Sequence, residues 1–174
     1  KGSVEQKIAD LYTMGLDSVR LNNEGVAPVK SDVEQLMSLS HPSELSVAMA
    51  YIHTMAGNPL FGMYVSADLL NSNVNALYID QSGLGMGNRD YYVDEKNADK
   101  KAAYVAYLEK IFALAGVEGD VKQMVDSVVA LEDRIAEKHW SNVECRDIQK
   151  GYNPFTYEDF KAQFGVVNWD SYFA

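Results

Sequence analysis

The sequence predicts a mainly α fold carrying one small antiparallel β-hairpin. Three observations carry that prediction. Apolar residues recur at helical spacing in most segments, the period switches to two over a single stretch between Leu60 and Ile79, and the longest helical runs are separated by a connection of only Gly116 to Gly119. At 174 residues and 47% hydrophobic composition the chain is long enough for a substantial core, and residues 1–174 are read as a single helical domain.

From Ser3 to Asn22 the apolar positions Val4, Ile8, Leu11, Tyr12, Leu16 and Val19 follow a helical period, and Ser3 with Gln6 forms a capping box. Asn22-Asn23-Glu24-Gly25 ends that helix, Pro28 keeps the chain extended, and Ser31-Asp32-Val33-Glu34 opens a shorter helix to Leu39. His41-Pro42 breaks it. Ser43 is placed to cap a third helix, 44–55, with Leu45, Met49 and Ile52 on one face and Ala48 and Ala50 permitting close packing. After Gly57-Asn58-Pro59, the alternation of Phe61, Met63, Val65 and Ala67 and the β-rich run 74–79 predict a hairpin across the polar turn Asn71-Ser72-Asn73. Two strands alone are marginal in water, so the hairpin must pack on helices.

Beyond a short turn at 90–93, residues 98–115 predict a long helix with Tyr104, Leu108, Ile111 and Ala115 on one stripe. Asp120 and Gln123 open another through Val121, Met124, Val128, Leu131, Ile135 and His139, antiparallel to the first. The stretch 141–151 is polar, 156–164 reads as a last short helix, and Asn168-Trp169-Asp170-Ser171-Tyr172-Phe173 opens an element whose partners are expected outside the chain. The start at Lys1 without Met likewise suggests a piece of a longer protein, with any targeting signal elsewhere.

The least ordinary stretch is 81–93, Gln-Ser-Gly-Leu-Gly-Met-Gly-Asn-Arg-Asp-Tyr-Tyr-Val. Glycines at alternate positions free the backbone to turn tightly or pass close to other elements, and Arg89, Asp90, Tyr91 and Tyr92 supply a planar cation, a carboxylate and two amphipathic rings to pin the loop on a core. A dinucleotide fingerprint is not met, because the third glycine arrives too early and the next residues are Asn88-Arg89-Asp90. Glu132 lies toward the inner stripe of its helix, where a buried carboxylate needs a partner; Arg89 and Arg146 are the candidates, each followed by Asp (Asp90, Asp147). Asp17, Glu34, Glu44 and Asp126 read as solvated charge.

A net charge of −10 argues against nucleic acid and anionic membrane partners, which need clustered Lys and Arg. The one cysteine, Cys145, excludes an internal disulfide, and no apolar run approaches the roughly 20 residues of a membrane span.

The run Gly83-Leu84-Gly85-Met86-Gly87-Asn88-Arg89-Asp90-Tyr91-Tyr92 resembles the GLGLPxRDYY signature of the neprilysin family of zinc metallopeptidases, which includes endothelin-converting enzymes and bacterial oligopeptidase O. Ala9-Asp10-Leu11-Tyr12, Leu60-Phe61, Leu131-Glu132, Ile135-Ala136, Arg146-Asp147, Tyr152-Asn153 and Asn168-Trp169 fall in the family order. Gly87-Asn88 departs where the family commonly has proline. The resemblance implies the non-catalytic N-terminal half of such an enzyme: a helical cap-type domain facing a catalytic domain across a chamber that admits peptides, with the zinc in that other domain. It marks Gly83, Gly85, Arg89, Asp90, Tyr91, Tyr92, Glu132, Arg146, Asp147 and Asn153 as structural motif residues. It further implies an extracytoplasmic parent, periplasmic, secreted or lipid-anchored. Animal members carry disulfides, so the single cysteine points to a bacterial source.

Zinc peptidases of this kind use H-E-x-x-H on a helix, where histidines four apart face one metal. His41, His53 and His139 have Leu45, Gly57 and Val143 at that spacing, so no catalytic or metal residue is expected in these 174 positions and the chain alone is expected to be inactive. His139, Glu144 and Cys145 are chemically legitimate ligands without a regular spacing; His139 reads as a helix-end residue favoured by the dipole, and Cys145 as inert. The alternative is a stand-alone helical protein-interaction module without enzymatic activity.

Overall fold

The computed structural model describes residues 2–174, whose contacts group into a unit ending at Ser38 and a second unit, Leu39–Ala174. In the first unit local hydrogen bonds shape the chain. The Ser3 hydroxyl accepts from the Gln6 N–H at 3.2 Å and the Gln6 side chain accepts from the Gly2 N–H at 3.0 Å, so helix α1 (Val4–Leu16) opens on a cap displaced by one residue from the predicted box. The single helix expected to reach Asn22 breaks at Asp17, whose ψ of 77° leaves the helical region. Its carboxylate, read from sequence as solvated charge, accepts from the Arg20 N–H at 2.9 Å and caps α2 (Ser18–Glu24). A 3-10 turn, Ala27–Val29, leads to α3 (Lys30–Met37), and none of the three helices contains a buried residue.

The second unit opens on a cap of unusual composition. His41 Nδ1 accepts from the Ser43 N–H at 3.2 Å, while the Glu44 carboxylate accepts from the N–H groups of Ser40 and His41 at 2.8 and 3.0 Å. His41 therefore takes the role predicted for Ser43, because Pro42–Glu44 tighten into a 3-10 turn ahead of α4 (Leu45–Thr54). Ser46, Ala48 and Met49 are buried on α4, whereas Leu45, expected inside, is exposed.

Strands β1 (Phe61–Ala67) and β2 (Asn75–Gln81) pair antiparallel with Phe61 opposite Gln81, and Tyr64 stacks on Tyr78 with centroids 5.2 Å apart. Next come α5 (Asp90–Val93), α6 (Ala98–Leu114) and α7 (Val121–Lys138), the last capped by Asp120. Tyr104 and Lys101 near the start of α6 bond Glu132 and Asp133 near the end of α7, so the two run antiparallel as expected. The buried stripe of α7 is Val125, Val129, Glu132 and Ala136, one residue out of phase with the predicted Val128 and Leu131. Glu132 sets that phase, since its carboxylate is bonded inward and Leu131 turns to solvent.

Three short helices finish the chain: α8 (Ile148–Gly151), α9 (Tyr157–Gln163) and α10 (Trp169–Tyr172), capped by Asp147, Thr156 and Asn168. The partners of α10 are inside the chain, contrary to the sequence reading. Trp169 and Tyr172 join Met49 in the core, flanked by Phe61, Met63, Ile79 and Phe160, and the Asn168 N–H donates to the Ser46 hydroxyl at 2.9 Å. The Trp169 indole N–H reaches the Phe164 carbonyl at 2.9 Å, and His53 sits between the Met49 and Phe61 carbonyls with the Tyr172 hydroxyl 2.8 Å from Nδ1. Small partners such as Ser46 and Ala50 let this element approach, a feature that periodicity does not report.

Trp169→Ala is expected to cost about 3–5 kcal/mol in urea denaturation of this chain, by loss of transfer energy plus a cavity. Val166→Ala, at a fully exposed residue, should stay within about 0.5 kcal/mol. Equal midpoints for the two variants would contradict this placement of the core.

Candidate functional site

The exit of the hairpin is clamped before the glycine loop begins. The Gln81 side chain donates to the Trp140 carbonyl at 3.0 Å and accepts from the Trp140 N–H at 2.8 Å, joining the end of β2 to the segment after α7. Two glycines then serve different needs. Gly83 has φ +88°, and a Cβ there would stand 2.8 Å from the Pro59 carbonyl oxygen and 2.9 Å from Leu60 Cα. Gly85 is required for space alone: a Cβ would collide with the Tyr104 hydroxyl and stand 3.0 Å from Glu132 Oε1.

That space is where the loop meets the buried carboxylate. Glu132 Oε1 accepts from the Gly85 N–H and the Tyr104 hydroxyl, each at 3.0 Å, and Oε2 accepts from the Tyr92 hydroxyl at 2.9 Å. Tyr92 in turn accepts from the Met86 N–H at 3.1 Å. One side chain of α7 thereby fixes the loop, α5 and α6. Burial, and then the adjacent Glu132 carboxylate, pushes the Tyr104 phenol up to about 12; burial above all, aided by Glu132, also raises Tyr92 against the opposing Met86 N–H. Both phenols remain donors throughout the physiological range.

Arginine plays a smaller part than expected. No arginine pairs with Glu132, whose acceptors are filled by two phenols and a backbone amide. Arg89 lies at the loop's end, donating through Nε to the Ala136 carbonyl at 3.4 Å and standing 3.7 Å from Asp90 Oδ1. With both side chains partly exposed, that pair contributes under about 1 kcal/mol. Asp90 is held instead through its backbone, its carbonyl accepting from Asn97 Nδ2 at 2.9 Å, and Tyr91 carries Lys100 over its ring at 5.1 Å. Arg146 is exposed and makes no ion pair among the described residues. Asp147 caps α8 through the Lys150 N–H at 3.0 Å, and Asn153 donates to the Lys150 carbonyl at 3.0 Å.

The motif residues thus fall into two sets. Gly83, Gly85, Arg89, Asp90, Tyr91, Tyr92 and Glu132 surround one loop, while Arg146, Asp147 and Asn153 shape the tail. Beside the latter, the Ser141 N–H and Lys150 hold Glu144 down to about 2. Tyr104, Gln81 and Trp140 were not singled out as site residues; the only sequence signal was Tyr104's place on the inner stripe of α6.

Chemically, the cluster is a knot of saturated hydrogen bonds. Both Glu132 oxygens are engaged, Oε1 by an amide and a phenol and Oε2 by a second phenol, so the geometry accounts for the carboxylate as a holder of structure. Among the described residues no three of His, Cys, Asp and Glu converge. His139 caps α7, and burial, with Arg89 nearby, pushes its pKa down, so the dipole-stabilised cation read from sequence is disfavoured.

Glu132→Leu strands one buried amide and two phenols, each worth about 1–3 kcal/mol, and is expected to destabilise far more than Glu132→Gln, whose amide oxygen keeps two of the bonds. Comparable losses in thermal melts would show that the knot carries no such weight. The pH dependence has a definite sign. Tyr104's pKa is raised above its unfolded value of about 10, so its contribution is whole below pH 10 and is lost as pH climbs toward about 12. The stability gap between wild type and Tyr104→Phe should narrow over that window; a constant gap would contradict the placement.

Comparison with known proteins adds an independent result. The model of the N-terminal region of peptidase family M13 matches residues 1–174. Endothelin-converting enzyme 1 of Bos taurus is 27% identical over 177 residues, covering 95% of this chain and 23% of the enzyme. The crystal structure of the Mycobacterium tuberculosis zinc metalloprotease Zmp1 in complex with an inhibitor superposes with a TM-score of 0.88 at 29% identity, over 98% of this chain and 26% of that one. PepO from Lactobacillus rhamnosis, at 22% identity, shares the fold with a TM-score of 0.76 over 91% of this chain and 26% of its own. The chain spans about a quarter of the length of these relatives. Its glycine loop, its helical architecture with one hairpin, and the match along its whole length agree: the chain belongs to peptidase family M13, the neprilysin family, as its N-terminal region.

Proposed function

We propose that this chain is the helical cap region of a neprilysin-like zinc endopeptidase, packed against a catalytic region elsewhere in the same polypeptide and helping to enclose a chamber that admits peptides. The observation that carries this reading is the surface. The chain exposes 12772 Å² at 19.4 kDa, against about 8,500 Å² for a folded monomer of that mass. Treating the two units as separate bodies of about 4 and 15 kDa raises the expectation only to about 10,000 Å². Leu11, Leu70, Val143 and Ile148 are among the large apolar side chains left in water. An excess of this size exceeds the roughly 800 Å² that one partner gives to a standard transient interface and resembles a domain core cut open. A stand-alone interaction module would be closed except at one patch, which favours the cap.

In this reading the cap performs no bond chemistry. Zinc, bound in the catalytic region, supplies the activated water that cleaves the peptide. Residues 1–174 supply walls, size exclusion and a surface that moves with opening and closing. No described helix is long and apolar enough to cross a membrane, and an extracytoplasmic site for the whole enzyme rests on the family alone.

The test is direct. The coding sequence after Ala174 should continue into H-E-x-x-H and a further glutamate ligand, and the whole polypeptide should bind one zinc and cleave peptides. The 174-residue chain alone should cleave none, with zinc affinity no greater than that of an exposed histidine. A reading frame that stops near Ala174, or a tight one-to-one zinc isotherm lost on His139→Ala or Cys145→Ala, would overturn the proposal.

A further inference from the structure

Both ends of the glycine loop rest on residues 136–140, the last turn of α7 and the bend after it. At the start of the loop the Gln81 side chain grips the Trp140 backbone with bonds of 3.0 and 2.8 Å, and the Ser82 backbone bonds the His139 ring. At its end, Arg89 Nε donates to the Ala136 carbonyl at 3.4 Å. Between these ends the Gly85 and Met86 amides are held by Glu132 and Tyr92. His139 stands at the closure, partly buried and in reach of both ends, with its own N–H on the Ile135 carbonyl at 3.1 Å.

A histidine at a helix C-terminus ordinarily gains from being charged, because the last carbonyls carry partial negative charge. Here a cation already occupies that end. Arg89 serves the Ala136 carbonyl, so a proton on His139 sets a second positive charge beside the first in a site partly removed from water. The carboxylates around the junction are committed elsewhere. Asp90 stands 3.7 Å from Arg89, Glu132 is filled by its three donors, and Glu144 accepts from Ser141 and from Lys150. Lys150, 4.3 Å over the Trp140 ring, adds a further cation from the tail, and Glu137 and Lys138 flank His139 on α7 from exposed positions.

We propose that His139 is an acid-sensitive pin of the glycine loop: neutral, it lets Ser82 and Arg89 rest together on the end of α7, and protonated, it repels Arg89 and loosens that end of the loop. The Ser82 bond favours the charged ring and persists, so the release falls on the Arg89 side. Burial first, and Arg89 with it, push the ring's pKa below the ordinary histidine value against that opposing bond. With the folded-state pKa lowered, the contribution of His139 is whole above the unfolded value of about 6.5 and is lost as pH falls below it.

Two measurements on the 174-residue chain test this. Hydrogen exchange, corrected for the intrinsic effect of pH, is compared at pH 7.5 and 5.5; protection of residues 83–93 should fall at least about threefold more than that of α6. His139→Gln, uncharged at both pH values, should remove the difference. The second measurement is the proton NMR titration of the imidazole rings, with His139 assigned by the signal missing in His139→Gln. Its midpoint should lie below the roughly 6.5 of a solvated histidine, move upward in Arg89→Gln, and stay low in Arg89→Lys, which keeps the charge. A wild-type midpoint at or above about 6.5, or one unmoved by Arg89→Gln, would overturn the proposal without any need for the His139 variant to fold well. An acid-induced loss of loop protection that persists in His139→Gln would overturn it as well, by assigning the effect to another group.

Discussion

The Glu132 carboxylate is the point on which the second unit's geometry depends. It is only 8% exposed, where an unpaired charge is costly, and the chain satisfies it with two phenols and one backbone amide. Those donors come from the glycine loop, α5 and α6. Each then has a preferred position: Gly85 must lack a side chain, Tyr92 must reach back to the Met86 amide, and α7 must rotate until Glu132 faces inward. Gly85 therefore answers a hydrogen-bonding requirement, while Gly83 answers the turn against Pro59 and Leu60.

Around that knot the molecule is unevenly closed. The aromatic core of α4, β1 and α10 is well satisfied, with the Trp169 indole, the Tyr172 hydroxyl and the His53 ring each given a partner. Elsewhere, apolar faces meet water, and the helices of the first unit bury nothing. This contrast gives physical content to the family assignment. Hydrogen bonds and caps fix the local conformation of each element, and in the proposed cap the remaining burial comes from surfaces outside the 174 residues.

Element type was legible in the sequence because it follows from local rules. The change of period marked the hairpin, and Asp120 and Thr156 announced their helices. What was missed lay in competition between groups. Asp17 prefers to cap a new helix over continuing the old one, and His41 outcompetes Ser43 because Pro42 tightens the turn. The sequence places Glu132 inside and offers arginines as its partners, since charge suggests charge; two phenols with raised pKa serve instead, because which donors reach is a matter of three-dimensional placement. The partners of α10 escape a sequence reading because the contacts of Trp169 and Tyr172 with Met49, and of Asn168 with Ser46, span more than a hundred residues, a separation at which periodicity carries no information.

In the proposed cap, these residues form an open region whose stability is completed by the rest of the polypeptide. Differential scanning calorimetry of the 174-residue chain and of the whole polypeptide tests it most directly. The isolated chain is expected to melt at a markedly lower temperature and with a smaller enthalpy per residue than a domain of its size, and in the whole polypeptide no transition should remain at that lower temperature. A single, fully cooperative transition of the isolated chain, recurring at the same temperature within the whole polypeptide, would contradict it.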